Sequence, residues 1–194
     1  MPTPRCAHPF RPFRRFRAFA FPLCLLLSCG AVRGADFSLT GPGLEDGGSL
    51  PLAQVQCGGQ NASPALQWRN APPGTQSFAV TMHDPDAPTM SGWWHWQVYN
   101  IPATALSLHA NAGDPAAGLM PAGAVQNVND GGRPGFMGAC PPRGDKPHRY
   151  VITVFAMPEE LIKLPANPSN AMVGFNLLRS ALGKASLTLT YGRP

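Results

Sequence analysis

Charge is scarce in this chain of 194 residues, and no basic cluster stands out after residue 34. Asp, Glu, Lys and Arg together make up 13% of the chain, and the formal net charge is +5. The positive charge is concentrated in residues 1–34, which hold six arginines and no acid, whereas the remainder carries nine basic and ten acidic residues. A nearly neutral body without a basic face argues against a nucleic-acid partner.

Long hydrophobic runs are absent as well. The longest apolar run, residues 18–28, has about eleven residues and follows an arginine-rich stretch that ends at Arg17. This is shorter than the roughly 20 residues of a bilayer crossing and typical of a secretory signal. We therefore predict an export signal peptide over residues 1–34, cleaved before Ala35 or Asp36, and a single domain over 35–194. The alternative, a buried N-terminal helix, would have to bury six arginines.

The predicted leader also bears on the location of the protein, which we expect to be periplasmic or secreted. The run Leu26-Leu27-Ser28-Cys29-Gly30 resembles a lipobox, in which Cys29 is acylated and becomes the mature N-terminus. The alternative location is therefore that of a lipoprotein anchored through Cys29, with peripheral or lipid-anchored membrane association.

Cysteine is also rare, and three of the five cysteines, Cys6, Cys24 and Cys29, precede residue 35. Cys57 and Cys140 remain, an even count in a compartment that is oxidising if the chain is exported. A Cys57–Cys140 disulfide would close a long loop and stabilise the fold by about 3–5 kcal/mol on the chain-entropy model. Two free thiols are the alternative, and sequence spacing does not decide between them.

Glycine and proline are abundant, with 21 and 23 residues spread along a chain that has no internal repeat. Together with short β-prone runs, they predict a mainly β domain with many turns. The predicted strands cover residues 37–40, 53–57, 66–68, 77–83, 94–101, 148–156 and 186–191.

Two helices are predicted in the last third of the chain. Residues 158–163 open with Pro158 and two acids, which favours a short helix. Residues 169–182 predict a longer helix, capped by Ser169 or Asn170 and ended by Gly183. Its core-facing side chains are expected at the three-to-four spacing of Met172, Phe175, Leu178 and Leu182.

The densest polar chemistry lies in the run His83-Asp84-Pro85-Asp86-Ala87-Pro88, between two predicted strands. The two prolines cannot donate to a strand ladder, so this run is expected to form a loop. The strand that follows opens with Trp93-Trp94-His95-Trp96. Loops held between rigid strands are where binding and catalytic groups are concentrated.

This pattern resembles the signature of the phosphatidylethanolamine-binding proteins, the family that includes the Raf kinase inhibitor proteins, in its compact bacterial branch. In that signature an Asp-Pro-Asp-Ala-Pro loop precedes a Trp-x-His strand. Two further blocks, at residues 61–68 and 138–156, fall in the family's order, so the resemblance extends from about residue 37 to residue 191. It implies a mainly β fold of antiparallel sheets packed as a sandwich, with one or two short helices.

The resemblance also implies an anion pocket. Its expected residues are Asp84, His95, Cys140, Pro141, His148 and Tyr150, supported by Asp86, Pro88 and Trp93. We expect one ring nitrogen of His95 to donate to the ligand while Asp84 accepts from the other, and backbone N–H groups before Pro141 to form a small nest. The alternatives are that Asp84 caps its own loop and that His95 is an ordinary core histidine.

Strand alternation adds expectations about which side chains share a face. Arg149 should point away from the pocket and pair with Asp86. On one strand, His148 and Tyr150 are expected to share a face. On another, the residues expected to share a face are Trp93, His95 and Gln97, with Trp94 and Trp96 on the opposite face. Residues 110–134, rich in Gly, Ala, Asn and Pro, are expected to form a rim of the pocket.

These features favour an exported, non-enzymatic binding protein that holds a small anionic ligand, such as a phosphate or a phospholipid headgroup. No Ser or Cys forms a recognisable nucleophile pattern with His95, although a hydrolase or lyase that uses Asp84 and His95 as acid and base is an alternative. No HxxxH or HxH spacing predicts a metal site, and no cofactor is expected. The other alternative is an inhibitor of a protease or another envelope protein that acts through the 110–135 loop.

Overall fold

The computed structural model describes residues 35–194. The predicted signal peptide over 1–34, its cleavage site and the acylation of Cys29 concern residues outside that range and remain predictions. Within the described range, no helix combines the length and hydropathy that crossing a membrane requires.

Eight strands and one α-helix form the described part of the chain. A small sheet has the order β1-β2-β5 and a larger one the order β6-β4-β3-β7-β8, and all neighbouring strands in both are antiparallel. The elements are β1 Ser38–Thr40, β2 Leu66–Arg69, β3 Ser77–Asp84, β4 Trp93–Pro102, β5 Ser107–Leu108, β6 Val125–Gln126, β7 His148–Met157, α1 Asn170–Ser180 and β8 Gly183–Tyr191.

Both faces of the larger sheet are covered, because alternate residues of β3 point to opposite sides. Phe78, Val80 and Met82 belong to the main core, which includes Trp68 of the small sheet, and the rings of Trp68 and Phe78 have centroids 5.2 Å apart. Ala79, on the other face, belongs to a smaller cluster with Leu177 of α1. This two-sided packing of antiparallel sheets, with one helix, confirms the predicted mainly β class.

The strand predicted over residues 53–57 is wrong. Leu52–Gln54 form a 3₁₀ turn, and Val55 makes only an isolated bridge to Ala139. The N–H groups of Gln54 and Val55 donate to the carbonyls of Pro51 and Leu52, three residues back. Because these donors are used locally, they are not available to a neighbouring strand. The short strands β5 and β6 were not predicted, since two residues show no periodicity.

The short helix predicted over residues 158–163 is also wrong. Ser77 Oγ donates to the Glu159 carbonyl at 2.6 Å, and the Ile162 N–H donates to Asn100 Oδ1 at 2.7 Å. Side chains of β3 and β4 therefore take backbone groups of this segment that a helix would pair internally. The local preference of Pro158 and the acids after it for the first turn of a helix is outweighed by these tertiary contacts.

The longer helix exists, but it packs through a face that the sequence did not predict. Ser169 caps α1, its Oγ accepting from the Met172 N–H at 3.2 Å, and Gly183 opens β8 three residues after the last residue of the helix. The residues expected in the core are exposed: Met172 by 43%, Phe175 by 62%, Leu178 by 65% and Leu182 by 43%. The buried residues are Val173, Gly174 and Leu177.

Gly174 lies on the buried face of α1, against the sheet. A Cβ at this position would lie 3.6 Å from the Trp94 ring, an ordinary van der Waals distance, so the α1 backbone lies close to the sheet here. A narrow stripe of small and medium residues therefore packs more closely than the larger apolar stripe beside it.

Candidate functional site

A cavity of about 380 Å³ opens where β3 ends and where β4 and β7 begin. This volume falls within the range of about 300–1,000 Å³ that is usual for small-ligand pockets. Eight of the nine expected site residues line it: Asp84, Pro88, Trp93, His95, Cys140, Pro141, His148 and Tyr150. Asp86 does not line this cavity.

A β-bulge directs His95 into the cavity. Met82 pairs with Trp96 and His83 with Trp94, so one step along β3 corresponds to two along β4 and His95 is the inserted residue. The strict alternation expected for β4 is therefore wrong. Trp96 lies in the main core on the side of His95, whereas Gln97 faces α1 and donates to the carbonyl of Asn170.

His95 is buried, and its partner is not Asp84 as expected. Nδ1 lies 2.8 Å from the Met137 carbonyl oxygen, and because a carbonyl only accepts, Nδ1 carries the proton. In the neutral ring, Nε2 is then an acceptor. Burial lowers the pKa of His95 below its ordinary value of 6.5, opposed by the Met137 carbonyl and the charge of Asp84.

Asp84 is instead the partner of His148. Both side chains are buried, and His148 Nδ1 lies 2.7 Å from Asp84 Oδ2. Asp84 Oδ1 accepts from the N–H groups of Asp86 at 2.8 Å and Ala87 at 3.0 Å. The carboxylate therefore caps its own loop, as one of the sequence alternatives held, and also orients the imidazole at the start of the neighbouring strand β7.

Tyr150 shares the cavity with His148, as alternation along β7 predicts. Its ring meets that of His95 edge to face, with centroids 5.3 Å apart. The hydroxyl is buried and has no hydrogen-bond partner within the described residues. Burial, and then the negative charge of Asp84, raise the pKa of Tyr150, so the hydroxyl keeps its proton and remains a donor.

Asp86 supports the site from outside. Its carboxylate pairs with Arg149, with Oδ1 2.7 Å from one guanidinium nitrogen and Oδ2 2.8 Å from Nε, and it also accepts from the Arg149 backbone N–H. These hydrogen bonds lower the pKa of Asp86 to about 2, and the bond to the Arg149 side chain has the largest effect. The expected outward ion pair between Asp86 and Arg149 is present, and it ties the acidic loop to β7.

Two of the backbone N–H groups that were expected to form a nest before Pro141 are bound elsewhere in the chain. The Gly138 N–H donates to Asn61 Oδ1 at 2.7 Å, and the Ala139 N–H donates to the Gln54 carbonyl at 3.1 Å. These donors are consumed in attaching the turn to residues 54–61. Cys140 forms a disulfide with Cys57, their Cα atoms 5.2 Å apart, which attaches the same two segments.

Residues 110–134 do not form a rim of this cavity, contrary to expectation, because none of them lines it. Several line a second, more polar cavity of about 630 Å³ instead. The two cavities share Gln56 and Met137. The loop is directed to this second cavity by its own hydrogen bonds, such as that from Asn129 Nδ2 to the Gly135 carbonyl at 3.0 Å.

Among the residues near the site that sequence reasoning missed, three bear on its chemistry. Gln56 and Met137 line the first cavity, and Asp145 Oδ2 lies 3.5 Å from His148 Nε2. The contribution of Met137 comes from its backbone carbonyl, which no residue pattern reveals. Asp145 lies three positions before His148, so the sequence spacing could have suggested this contact. Within residues 35–194, no group of three or more His, Cys, Asp or Glu is arranged to hold a metal ion.

Comparison with known proteins gives consistent matches. Residues 40–192 match the family model described as phosphatidylethanolamine-binding protein. The chain is 46% identical to YbcL of Escherichia coli over 165 residues, 83% of this chain and 90% of YbcL. It is 45% identical to YbhB of the same organism over 152 residues, 76% of this chain and 95% of YbhB. The crystal structure of YbcL, described as a member of the mammalian PEBP family, matches with a TM-score of 0.79 and covers 82% of this chain and 100% of its own.

A more distant relative carries a different description. It is LppC of Mycobacterium tuberculosis, named as a candidate lipoprotein, which is 33% identical over 162 residues, 83% of this chain and 75% of LppC.

Proposed function

This chain belongs to the phosphatidylethanolamine-binding protein family, and we propose that it is an exported, non-enzymatic binding protein whose first cavity holds the phosphate of a small anionic ligand. A free phosphate and a phospholipid headgroup share the chemistry that this site would recognise.

The buried hydroxyl of Tyr150 is the observation that carries the proposal. A buried polar group without a partner costs about 1–3 kcal/mol, and a ligand oxygen in the cavity would restore the missing bond. Because its pKa is raised, the hydroxyl offers a proton rather than a charge, which suits an anion. It stands beside two imidazoles whose orientations are fixed by Met137 and Asp84.

His95 adds a dependence on pH. With Nδ1–H committed to the Met137 carbonyl, the neutral ring presents an acceptor, which repels a phosphate oxygen unless Nε2 takes a proton or the phosphate keeps one. Either route couples binding to proton uptake, so the affinity for phosphate rises as pH falls. Isothermal titration in buffers of different ionisation enthalpy measures the number of protons taken up.

The side chains of the cavity argue against catalysis. The Cys140 sulfur is in a disulfide, the Thr89 hydroxyl donates to the Gly92 carbonyl, and the Tyr150 hydroxyl keeps its proton. Asp84 already accepts three hydrogen bonds, which leaves it poorly suited to the acid or base of a hydrolase. The site therefore offers positioning groups without an activated nucleophile.

Export rests on the leader and on the family. The proposed signal peptide is supported by the layout of residues 1–34, and anchoring through Cys29 by the relative named as a candidate lipoprotein. The mass of the intact protein recovered from the envelope separates the two, because cleavage before Ala35 or Asp36 and acylation at Cys29 leave different masses.

Titration of the folded protein with inorganic phosphate, methyl phosphate and phosphoethanolamine tests the central proposal. We expect saturable binding of each at millimolar concentration or below, a raised unfolding temperature, and unchanged ligand by phosphorus NMR after long incubation. Absence of binding by a folded protein at about pH 6 would refute the binding role, and release of phosphate from an ester would refute the non-enzymatic one.

The alternative, inhibition of a protease or another envelope protein through the 110–135 loop, keeps one specific observation in its favour. Leu119 and Val128 are exposed there, while the buried Asn127 and Asn129 hold the loop by side-chain hydrogen bonds. A rigid loop with exposed apolar residues suits a protein partner. A native protein that inhibits no envelope protease would remove this alternative, and inhibition that a Leu119→Ser, Val128→Ser variant retains would show that these side chains are not the contact.

A further inference from the structure

The second cavity, of about 630 Å³, differs from the first in its chemistry. Its lining is dominated by side-chain amides and includes one acid and one base, whereas the first is mostly apolar with a few polar groups. The polar side chains that matter are Gln56, Gln60, Asn61, Asn111, Asp114 and Arg133.

The hydrogen-bonding capacity of this lining is largely unused. Within the described residues, the side chains of Gln56, Gln60, Asn111 and Arg133 are engaged in no hydrogen bond or ion pair, although the backbone around them is fixed. The Asn111 N–H, for example, donates to the Ser63 carbonyl at 2.9 Å. Because the backbone is fixed, a ligand has to order only these side chains and not the segments that carry them.

The composition of the cavity indicates the kind of group that fits it. A side-chain amide both donates and accepts, as a hydroxyl does, and Asp114 and Arg133 together add no net charge. Pro115, Pro134 and Phe136 complete the lining with apolar surface, against which the C–H face of a polyol or sugar can pack. A neutral, hydroxyl-rich group is therefore favoured over a charged or purely apolar one.

The two cavities adjoin each other, because Gln56 and Met137 line both. Met137 also holds His95 through its carbonyl, so the shared wall is attached to the site of the first cavity. A ligand with its phosphate beside His95 and Tyr150 would extend past this wall into the amide-lined cavity.

We propose that the second cavity binds the neutral, polyhydroxylated part of a phosphate ester whose phosphate occupies the first cavity, so that the ligand class is a sugar or polyol phosphate. This inference rests on the proposed phosphate site and makes it more specific. Phosphoethanolamine, which carries a cationic arm, would not gain from the second cavity.

Calorimetric titration with inorganic phosphate, glucose 6-phosphate and phosphoethanolamine tests it, using a Gln60→Ala, Asn111→Gly double variant. Glycine tolerates the φ of 63° at position 111, and neither side chain holds the fold together, so the variant should fold normally. Gln76→Ala, at an exposed glutamine outside both cavities, is the matched control.

The native protein and the control should bind glucose 6-phosphate at least about 10-fold more tightly than phosphate, from two or more added hydrogen bonds. The double variant should lose that advantage and keep its affinity for phosphate. Glucose 6-phosphate that binds no more tightly than phosphate, or an advantage that survives the double substitution, overturns this inference alone. A native protein that binds none of the three probes overturns the proposed function.

Discussion

Asp84 Oδ2 accepts a 2.7 Å hydrogen bond from Nδ1 of His148, a residue 64 positions further along the chain. This pair joins the last residue of β3 to the first residue of β7, and both side chains are buried. The other oxygen of the same carboxylate holds the Asp86 and Ala87 N–H groups. One side chain therefore fixes both the loop and the imidazole of the proposed phosphate site.

Replacing Asp84 by Asn should destabilise the protein by about 3 kcal/mol, because an amide cannot accept from both the loop and the imidazole. The free energy of unfolding in urea measures the loss, and affinity for phosphate should fall with it. Asp86→Asn is the control, since that carboxylate pairs at the surface and its loss should cost much less. Equal losses would show that the buried pair has no special role.

Replacing Tyr150 by Phe should separate stability from binding. The change removes a buried hydroxyl that has no partner, so the free energy of unfolding should stay the same or rise by up to about 1 kcal/mol. Phosphate affinity should fall about 5- to 10-fold, since the ligand loses one donor. Calorimetry and urea unfolding on the same preparations test both. Unchanged affinity would mean that the hydroxyl is not a ligand contact.

Stability should depend on pH through His95. Because burial lowers its pKa below 6.5, the folded protein binds fewer protons there than the unfolded chain does. The stabilisation due to the neutral ring is complete above about pH 6.5 and is lost as pH falls through the lowered pKa. Urea unfolding from about pH 8 to pH 5 should show a weaker pH dependence for His95→Gln than for the native protein. His109→Gln, at an exposed ring, should match the native curve.

Opening the disulfide should affect both the fold and the site. Cys57 and Cys140 are 83 residues apart, and on the chain-entropy model their bond contributes about 4–5 kcal/mol. A reductant should lower the free energy of unfolding by that order and weaken phosphate binding, because Cys140 lines the cavity. A Cys57→Ser, Cys140→Ser variant should have the lower free energy of unfolding from the outset, and the reductant should not change it. This control separates the loss of the disulfide from other effects of the reagent.

Two adjacent leucines in α1 should respond very differently to truncation. Leu177 is 1% exposed and Leu178 65% exposed. Leu177→Ala should cost about 2–4 kcal/mol through lost burial and a cavity, whereas Leu178→Ala should change the free energy of unfolding by less than about 0.5 kcal/mol. Thermal or chemical unfolding decides the order, and the reverse order would support the core face first expected from the sequence.

That expectation failed for an instructive reason. The stripe of Met172, Phe175, Leu178 and Leu182 has the correct spacing for a buried face, but the face that is buried is the narrower one around Gly174, which lies close to Trp94. Periodicity identifies apolar stripes, and shape complementarity with the sheet decides which one is buried. The failed helix over residues 158–163 is similar, since its local preference was outweighed by hydrogen bonds from Ser77 and Asn100.

The sequence by itself determined the class of fold, the positions of the long strands and eight of the residues that line the first cavity. Alternation in β7 placed His148 beside Tyr150, and the proline-bounded loop placed Asp84 at the end of β3. Only the tertiary structure decided which atoms are bonded: Asp84 to His148, His95 to the Met137 carbonyl, and Gly138 to Asn61. Alternation specifies a face of a sheet, whereas a hydrogen bond requires two atoms within about 3 Å. That precision depends on the bulge at His95 and on contacts between distant segments, which arise only when the whole chain has packed.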